Sequence, residues 1–188
     1  MMEQVDLLVR TAAKLDAAGI PYMLAGSYAS SLHGEARTTN DIDLVIAPTT
    51  AQLDTFLASL GPDCYVSAPA ARDALRQHGM FNIIDFTSGG KIDLVVRKTR
   101  PFSQSEFRRR QPQPYGTATV FVATPEDTIL SKLEWSQLSG SERQVRDAVG
   151  VAVVQGERLD RDYLRHWAKE LGVADLLEQV IQHSQPSP

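Results

Sequence analysis

The sequence predicts an α/β (α+β) protein in which a sheet-forming N-terminal part is followed by a C-terminal helical bundle. Three observations carry that expectation. Short β-rich apolar runs alternate with segments of helical period as far as about residue 122. After Thr124-Pro125-Glu126 no strand pattern follows, and helical stretches near 125–138, 142–155, 160–171 and 173–183 are separated by Ser139-Gly140, Gly156 and Gly172. A hydrophobic share of 43% against 22% charged residues, over 188 residues, is enough to bury one substantial core. The expected division is therefore 1–123 for the α/β part and 124–188 for the helical part packed on it, ending in a disordered tail at Gln185-Pro186-Ser187-Pro188.

The elements follow in order. Val5, Leu8, Val9, Ala12, Leu15 and Ala18 recur at helical spacing, and Gly19 with Pro21 ends the pattern. Pro21 to Ala25 reads as a short buried strand, and Gly26-Ser27 as the turn into a helix reaching His33-Gly34. Ile42 to Ile46 is the next strand, closed by Pro48, after which Thr50 is the expected N-cap of a helix to Leu60. A short strand is expected at Cys64-Tyr65-Val66 and a helix from Ala70 to His78. Phe81 to Phe86 and Lys91 to Val96, separated by Ser88-Gly89-Gly90, form a hairpin, and Thr117 to Val122 is one more strand.

Composition excludes several function classes. The one cysteine, Cys64, rules out an intrachain disulfide and a cysteine-rich zinc site. No apolar stretch approaches a membrane span, and Met1-Met2-Glu3-Gln4 lacks the basic start of a secretion signal, so a cytoplasmic location is expected. A net charge of −4 argues against a surface that is wholly a nucleic-acid footprint, while leaving room for a local basic groove.

The chemistry is concentrated in Asp41-Ile42-Asp43 and its echo Ile92-Asp93-Leu94. Residues two apart on a strand share a face, so Asp41 and Asp43 project together while Ile42 and Leu44 enter the core. Asp93 would add a third carboxylate from a neighbouring strand. Like charges about 4 Å apart repel by roughly 4 kcal/mol at an effective dielectric near 20. Such a cluster calls for a cation or for protons. Gly26 lets a phosphate approach the backbone, and Ser27 with the first amides of the helix offers donors.

Leu24-Ala25-Gly26-Ser27, Asp41-Ile42-Asp43-Leu44 and Ile92-Asp93-Leu94 resemble the signature of the nucleotidyltransferase superfamily, which has the polymerase-beta-like fold. Lys132-Leu133 within Ala123 to Trp135, followed by Arg143 and Arg146-Asp147, is similar to the branch related to AbiEii-type abortive-infection toxins. The resemblance implies a mixed sheet flanked by helices. It also implies a reaction in which a nucleoside monophosphate passes from an NTP to a hydroxyl of an RNA, a protein or a small molecule such as an aminoglycoside. By the same resemblance, Gly26 and Ser27 hold the β- and γ-phosphates, Asp41, Asp43 and Asp93 bind Mg2+ (or Mn2+), and Asp93 also promotes loss of the acceptor proton. The rival reading is a non-catalytic nucleotide- or protein-binding module, toxin-like and held by an antitoxin.

Other residues keep two readings. Lys132 either snorkels on a solvated helix face or brings its ammonium to the triphosphate. Arg37 either steers phosphate towards the aspartates or is an ordinary loop arginine. Arg108-Arg109-Arg110, flanked by Phe107 and Tyr115, is either a solvated surface loop or a phosphate-contacting run. Arg143, Arg146 and Asp147 share one helix face as an ion pair, a site rim or both. His33, His78, His166 and His183 have no metal-site spacing, Trp135 and Trp167 are expected in the core or between helices, and Lys91 after Gly89-Gly90 does not make a P-loop.

Overall fold

The computed structural model describes residues 2–35, 41–116 and 118–184. The chain packs as two compact units, one of Met1–Ala25 with Thr39–Val122 and the other of Gly26–Thr38 with Ala123–Pro188.

In the first unit, α1 (Met2–Ala17) buries Leu8, Ala12 and Leu15 and stops at Gly19, whose φ of +67° suits a residue without a Cβ. The strands β1 (Tyr22–Leu24), β2 (Asp41–Ile46), β3 (Cys64–Val66), β4 (Met80–Asp85), β5 (Lys91–Val96), β6 (Gln111–Tyr115) and β7 (Ala118–Val122) form one mixed sheet in the order β3-β4-β5-β2-β1-β7-β6. β2 runs parallel to β5 and β1 parallel to β7, while β1 with β2, β3 with β4, β4 with β5 and β6 with β7 are antiparallel. The helices α3 (Thr50–Ser59), α4 (Ala68–Gln77) and α5 (Pro101–Arg109) complete the unit. Lys14 of α1 donates to the Ser59 carbonyl at the end of α3, and α4 packs against β4 and β5.

Alternation in β2 and β5 decides which side of the sheet is wet. Ile42, Leu44, Ile46, Ile92, Leu94 and Val96 are buried, each contributing about 1.5–3 kcal/mol. A one-residue slip would expose all six and bury the aspartates, so the register is strongly specified.

Three local expectations are corrected. The N-cap of α3 is Thr49, not Thr50: Thr49 and Gln52 form a capping box in which each satisfies a backbone amide of the other. Arg108 and Arg109 belong to the last turn of α5, which starts with Pro101 at its first position, and are not a surface loop. Arg110, at the C-cap, lies 4.3 Å from the Phe107 ring centre and 5.3 Å from that of Phe121. The strand β6 is absent from the sequence reading because Pro112 and Pro114 argue against a strand. As the sheet edge it tolerates residues that donate no ladder hydrogen bond.

In the second unit, α2 (Gly26–His33), α6 (Pro125–Ser139), α7 (Glu142–Gln155), a 3-10 turn (Gly156–Arg158), α8 (Arg161–Glu170) and α9 (Ala174–His183) pack together. Gly140, at φ +69°, closes α6 before α7 begins. Ile129, Lys132, Leu133 and Ser136 form the buried stripe of α6. Trp135 lies off that stripe and is 61% exposed, which corrects its expected place in the core.

The end of α2 is held against α7. Gln155 donates to the His33 carbonyl at 2.6 Å. A Cβ on Gly34 would stand 2.7 Å from the Val151 nitrogen and 2.8 Å from the Gly150 carbonyl carbon, both of them backbone atoms that cannot swing aside. Gly34→Ala is expected to destabilise the protein by about 1–3 kcal/mol through overpacking. Urea melts of the two proteins check this, and equal midpoints would contradict it.

Candidate active site

The first unit presents the carboxylates. β2 and β5 pair in parallel with Asp41 opposite Lys91 and Asp43 opposite Asp93. Paired residues of adjacent strands share a face, so all four side chains project from the side of the sheet opposite Ile42 and Leu44. Asp93 therefore lies on the face of Asp41 and Asp43. It is only 7% exposed, and its Oδ1 is buried without a hydrogen-bond partner. Its Oδ2 accepts from the Lys91 ammonium at 2.8 Å, and that ammonium is 3.7 Å from Asp41 Oδ1. The hydrogen bond to Asp93 outweighs burial and, with the charge of Asp41, raises the Lys91 pKa above its ordinary value.

Lys91 is the site residue that sequence reasoning passed over. The available signal was alternation, because Lys91 stands two residues before Asp93 and must share its face. Its ammonium occupies the position of a counter-ion between the carboxylates. Among the described residues no group of three or more His, Cys, Asp or Glu side chains is arranged to hold a metal ion. The donor set nevertheless suits a hard cation: Mg2+ characteristically takes one or two carboxylates and completes its shell with water and substrate phosphate. A buried carboxylate oxygen with no donor is the kind of atom such an ion satisfies. Arg37 lies outside the described residues.

In the second unit Gly26 opens α2 with φ +60°, a left-handed conformation that disfavours any side chain. Ser27 follows, with its hydroxyl 3.5 Å from the Lys132 ammonium. Lys132 is 4% exposed, so it is not a snorkelling surface lysine. Its ammonium donates to Asp147 Oδ2 at 2.8 Å, forming an ion pair from α6 to α7 in which both side chains are nearly excluded from solvent. Asp147 thus bonds a lysine on another helix, while Arg143 and Arg146 are exposed.

The start of α6 is anchored by further polar contacts. The Thr124 hydroxyl donates to Asp127 Oδ2 at 2.6 Å and accepts from the Asp127 amide, and the Tyr163 hydroxyl donates to Asp127 Oδ1 at 2.6 Å. These bonds satisfy a fully buried carboxylate and set the axial position of the helix that carries Lys132.

His33 is held in a structural contact. Its Nε2 lies 2.6 Å from the Ala123 carbonyl, and because a carbonyl only accepts, this nitrogen carries the proton of the neutral ring. Burial lowers the His33 pKa, outweighing the opposite pulls of that hydrogen bond and of Glu126. With the folded pKa below the unfolded one, the unfolded chain binds more protons between the two values. The contribution of His33 to stability is therefore intact above about 6.5 and falls as pH drops below it. The difference in urea midpoint between pH 7.5 and pH 5 is expected to shrink in His33→Gln. An unchanged difference would contradict that assignment.

No protein-family model and no curated sequence relative matches the chain. Solved structures do. An antigenic nucleotidyltransferase-like protein from Paracoccidioides brasiliensis is 19% identical, with a TM-score of 0.57 over 95% of this chain and 92% of its own. The solution structure of the antibiotic-resistance factor ANT(2'')-Ia is 16% identical, with a TM-score of 0.60 over 97% of this chain and 98% of its own. A crystal structure of ANT(2'')-Ia in complex with adenylyl-2''-tobramycin gives 0.59 at 16% identity, over 89% of this chain and 98% of that one. At these identities the likeness is one of fold, and the seven-stranded mixed sheet with its helices is a nucleotidyltransferase fold.

Proposed function

We propose that this protein is a magnesium-dependent nucleotidyltransferase that moves a nucleoside monophosphate from an NTP to an acceptor hydroxyl. One observation carries the reading: the in-register pairing of Asp43 with Asp93 puts three carboxylates on one sheet face, with a buried Asp93 oxygen lacking any donor. Asp41, Asp43 and Asp93 would hold the cation, with Mn2+ as a substitute for Mg2+. When bound, such ions stabilise the charge that develops on the attacking and departing oxygens. Asp93 would accept the proton of the acceptor hydroxyl as that oxygen attacks the α-phosphorus and pyrophosphate leaves.

Gly26 has no Cβ to hold a phosphate away from the start of α2, and Ser27 and Lys132 would supply a hydroxyl and an ammonium to the same triphosphate. Arg37 belongs to the proposal as a further phosphate ligand on sequence grounds alone. The Lys132–Asp147 pair joins the two elements on which the likeness to the abortive-infection branch rests, and a toxin-like role with an antitoxin partner is proposed on that sequence likeness alone. A small-molecule acceptor is supported by the end-to-end likeness to ANT(2'')-Ia, which has been captured with an adenylylated tobramycin.

Each α-labelled NTP is to be incubated with Mg2+ or Mn2+ and, separately, total RNA, protein and tobramycin. Label is expected to move to one acceptor class from at least one nucleotide. If no label moves from any nucleotide to any of the three, the reading fails.

A further inference from the structure

The carboxylates share their sheet face with an apolar surface. β4 pairs with β5 so that Asn82 stands opposite Asp93 and Ile84 opposite Lys91, and β3 pairs with β4 so that Tyr65 stands opposite Ile84. Opposed residues share a face, and strands lie about 4.8 Å apart. One row therefore runs Asn82, Asp93, Asp43, and the next runs Tyr65, Ile84, Lys91, Asp41. Met80 lies on the same side of β4 as Asn82 and Ile84, and Phe86, the first residue past β4, extends the pairing by donating its amide to the Asp63 carbonyl at 2.8 Å. Tyr65, Met80 and Phe86 are 53%, 59% and 64% exposed, and Ile84 is exposed too.

Three large apolar side chains on an outer pair of strands, with Phe86 just past their end, run against the usual practice, since outer strands that face water are kept polar or charged. Exposed apolar side chains gathered on one face around Asn82 mark a surface that meets a ligand. Its position narrows the choice. The patch begins one strand from Asp93, the group assigned to the acceptor proton, so a molecule whose hydroxyl reaches Asp93 extends over Asn82 and, diagonally, over Ile84 and its partner Tyr65. The residues of the patch include no cation, and Lys91 beside it is already bonded to Asp93 and lies near Asp41. A polyphosphate chain would find no counter-charge there, whereas the faces of Tyr65 and Phe86 suit the apolar face of a ring and the Asn82 amide both donates to and accepts from ring hydroxyls.

Resting on the nucleotidyltransferase reading, we infer that Tyr65, Met80, Asn82, Ile84 and Phe86 form the acceptor platform and that the acceptor is a small ring-bearing alcohol without a phosphate backbone. Tyr65 and Phe86 set its affinity, and Asn82 orients the hydroxyl that faces Asp93.

The methionines make this testable by binding alone. In full-length protein labelled at the methionine methyls, Met80 reports on the platform, and Met23, fully buried in β1, is the internal control. Tobramycin, methyl β-glucoside and an eight-residue oligoadenylate are each titrated in. Tobramycin or the glucoside is expected to shift the Met80 methyl saturably while Met23 stays still. Tyr65→Ala and Phe86→Ala, both at exposed positions, are each expected to weaken that binding at least fivefold with unchanged melting temperature. A Met80 signal that ignores both ring compounds overturns the inference. So does a response to oligoadenylate alone, or undiminished affinity in the Tyr65→Ala/Phe86→Ala double variant. Ring binding at Met80 with no label transfer from any NTP would sink the catalytic reading and leave the platform standing, whereas label transfer to a ring alcohol that leaves Met80 unmoved would do the reverse.

Discussion

Asp43→Asn and Asp93→Asn are each expected to reduce nucleotidyl transfer by roughly three orders of magnitude or more while leaving the fold intact, since a cation's charge stabilisation is worth several kcal/mol. Asn is close in shape to Asp, so the sheet face loses a charge and little volume. Asp43 is half-buried and pairs in register with Asp93, so its carboxylate is placed by the backbone of two strands and not by a mobile loop. Asp93 brings the Lys91 bond with it, yet the Lys91 side chain is 40% exposed and is free to turn its ammonium to water. The stability cost of losing that pair is accordingly about 0–1 kcal/mol. Label transfer under saturating NTP, with a urea melt for each variant, checks both halves. Activity within tenfold of the parent in either variant, at a normal melt, would remove the carboxylates from the mechanism.

The second large effect concerns Lys132. Its pair with Asp147 is nearly excluded from solvent, so Lys132→Met leaves Asp147 buried without its ammonium. Removing one member of a buried pair costs about 3–5 kcal/mol, whereas replacing both by apolar residues is often neutral. Lys132→Met is therefore expected to melt far below the parent, and Lys132→Met/Asp147→Leu to recover most of the loss. Nucleotide binding separates this structural role from the one proposed for the triphosphate. If Lys132 meets phosphate, the double variant regains stability and still binds NTP at least tenfold more weakly than the parent. Parent-like NTP affinity in the stable double variant would confine Lys132 to a structural role.

Much of the fold was legible because its signals are local. The four C-terminal helices are bounded by residues that act on their own backbone: Pro125 at a first position, Gly140 in a left-handed cap, and Asp160 as the side-chain cap of α8. The hairpin of β4 and β5 was equally plain from two β-rich runs around Gly89-Gly90. Misread elements were those in which the local signal points the wrong way. Two prolines hid β6, whose place at the sheet edge removes their cost, and with β6 unseen the arginines ending α5 read as loop. Trp135 looked like core because tryptophan is large and apolar, but the face of α6 that turns inward is chosen by its neighbours.

For the candidate site the division is the same. By itself the sequence determined that Asp41 and Asp43 share a face, that Asp93 lies in a second strand, and that Gly26-Ser27 opens a helix, because each follows from residue spacing and backbone geometry along a few positions. Only the tertiary structure decided that Asp93 pairs with Asp43 in register, that Lys91 stands between the carboxylates, that Lys132 is buried against Asp147, and that α2 packs with the C-terminal helices. Strand order, register and burial are set by which distant surfaces exclude water together, and that free energy belongs to pairs of segments and is written in neither one alone.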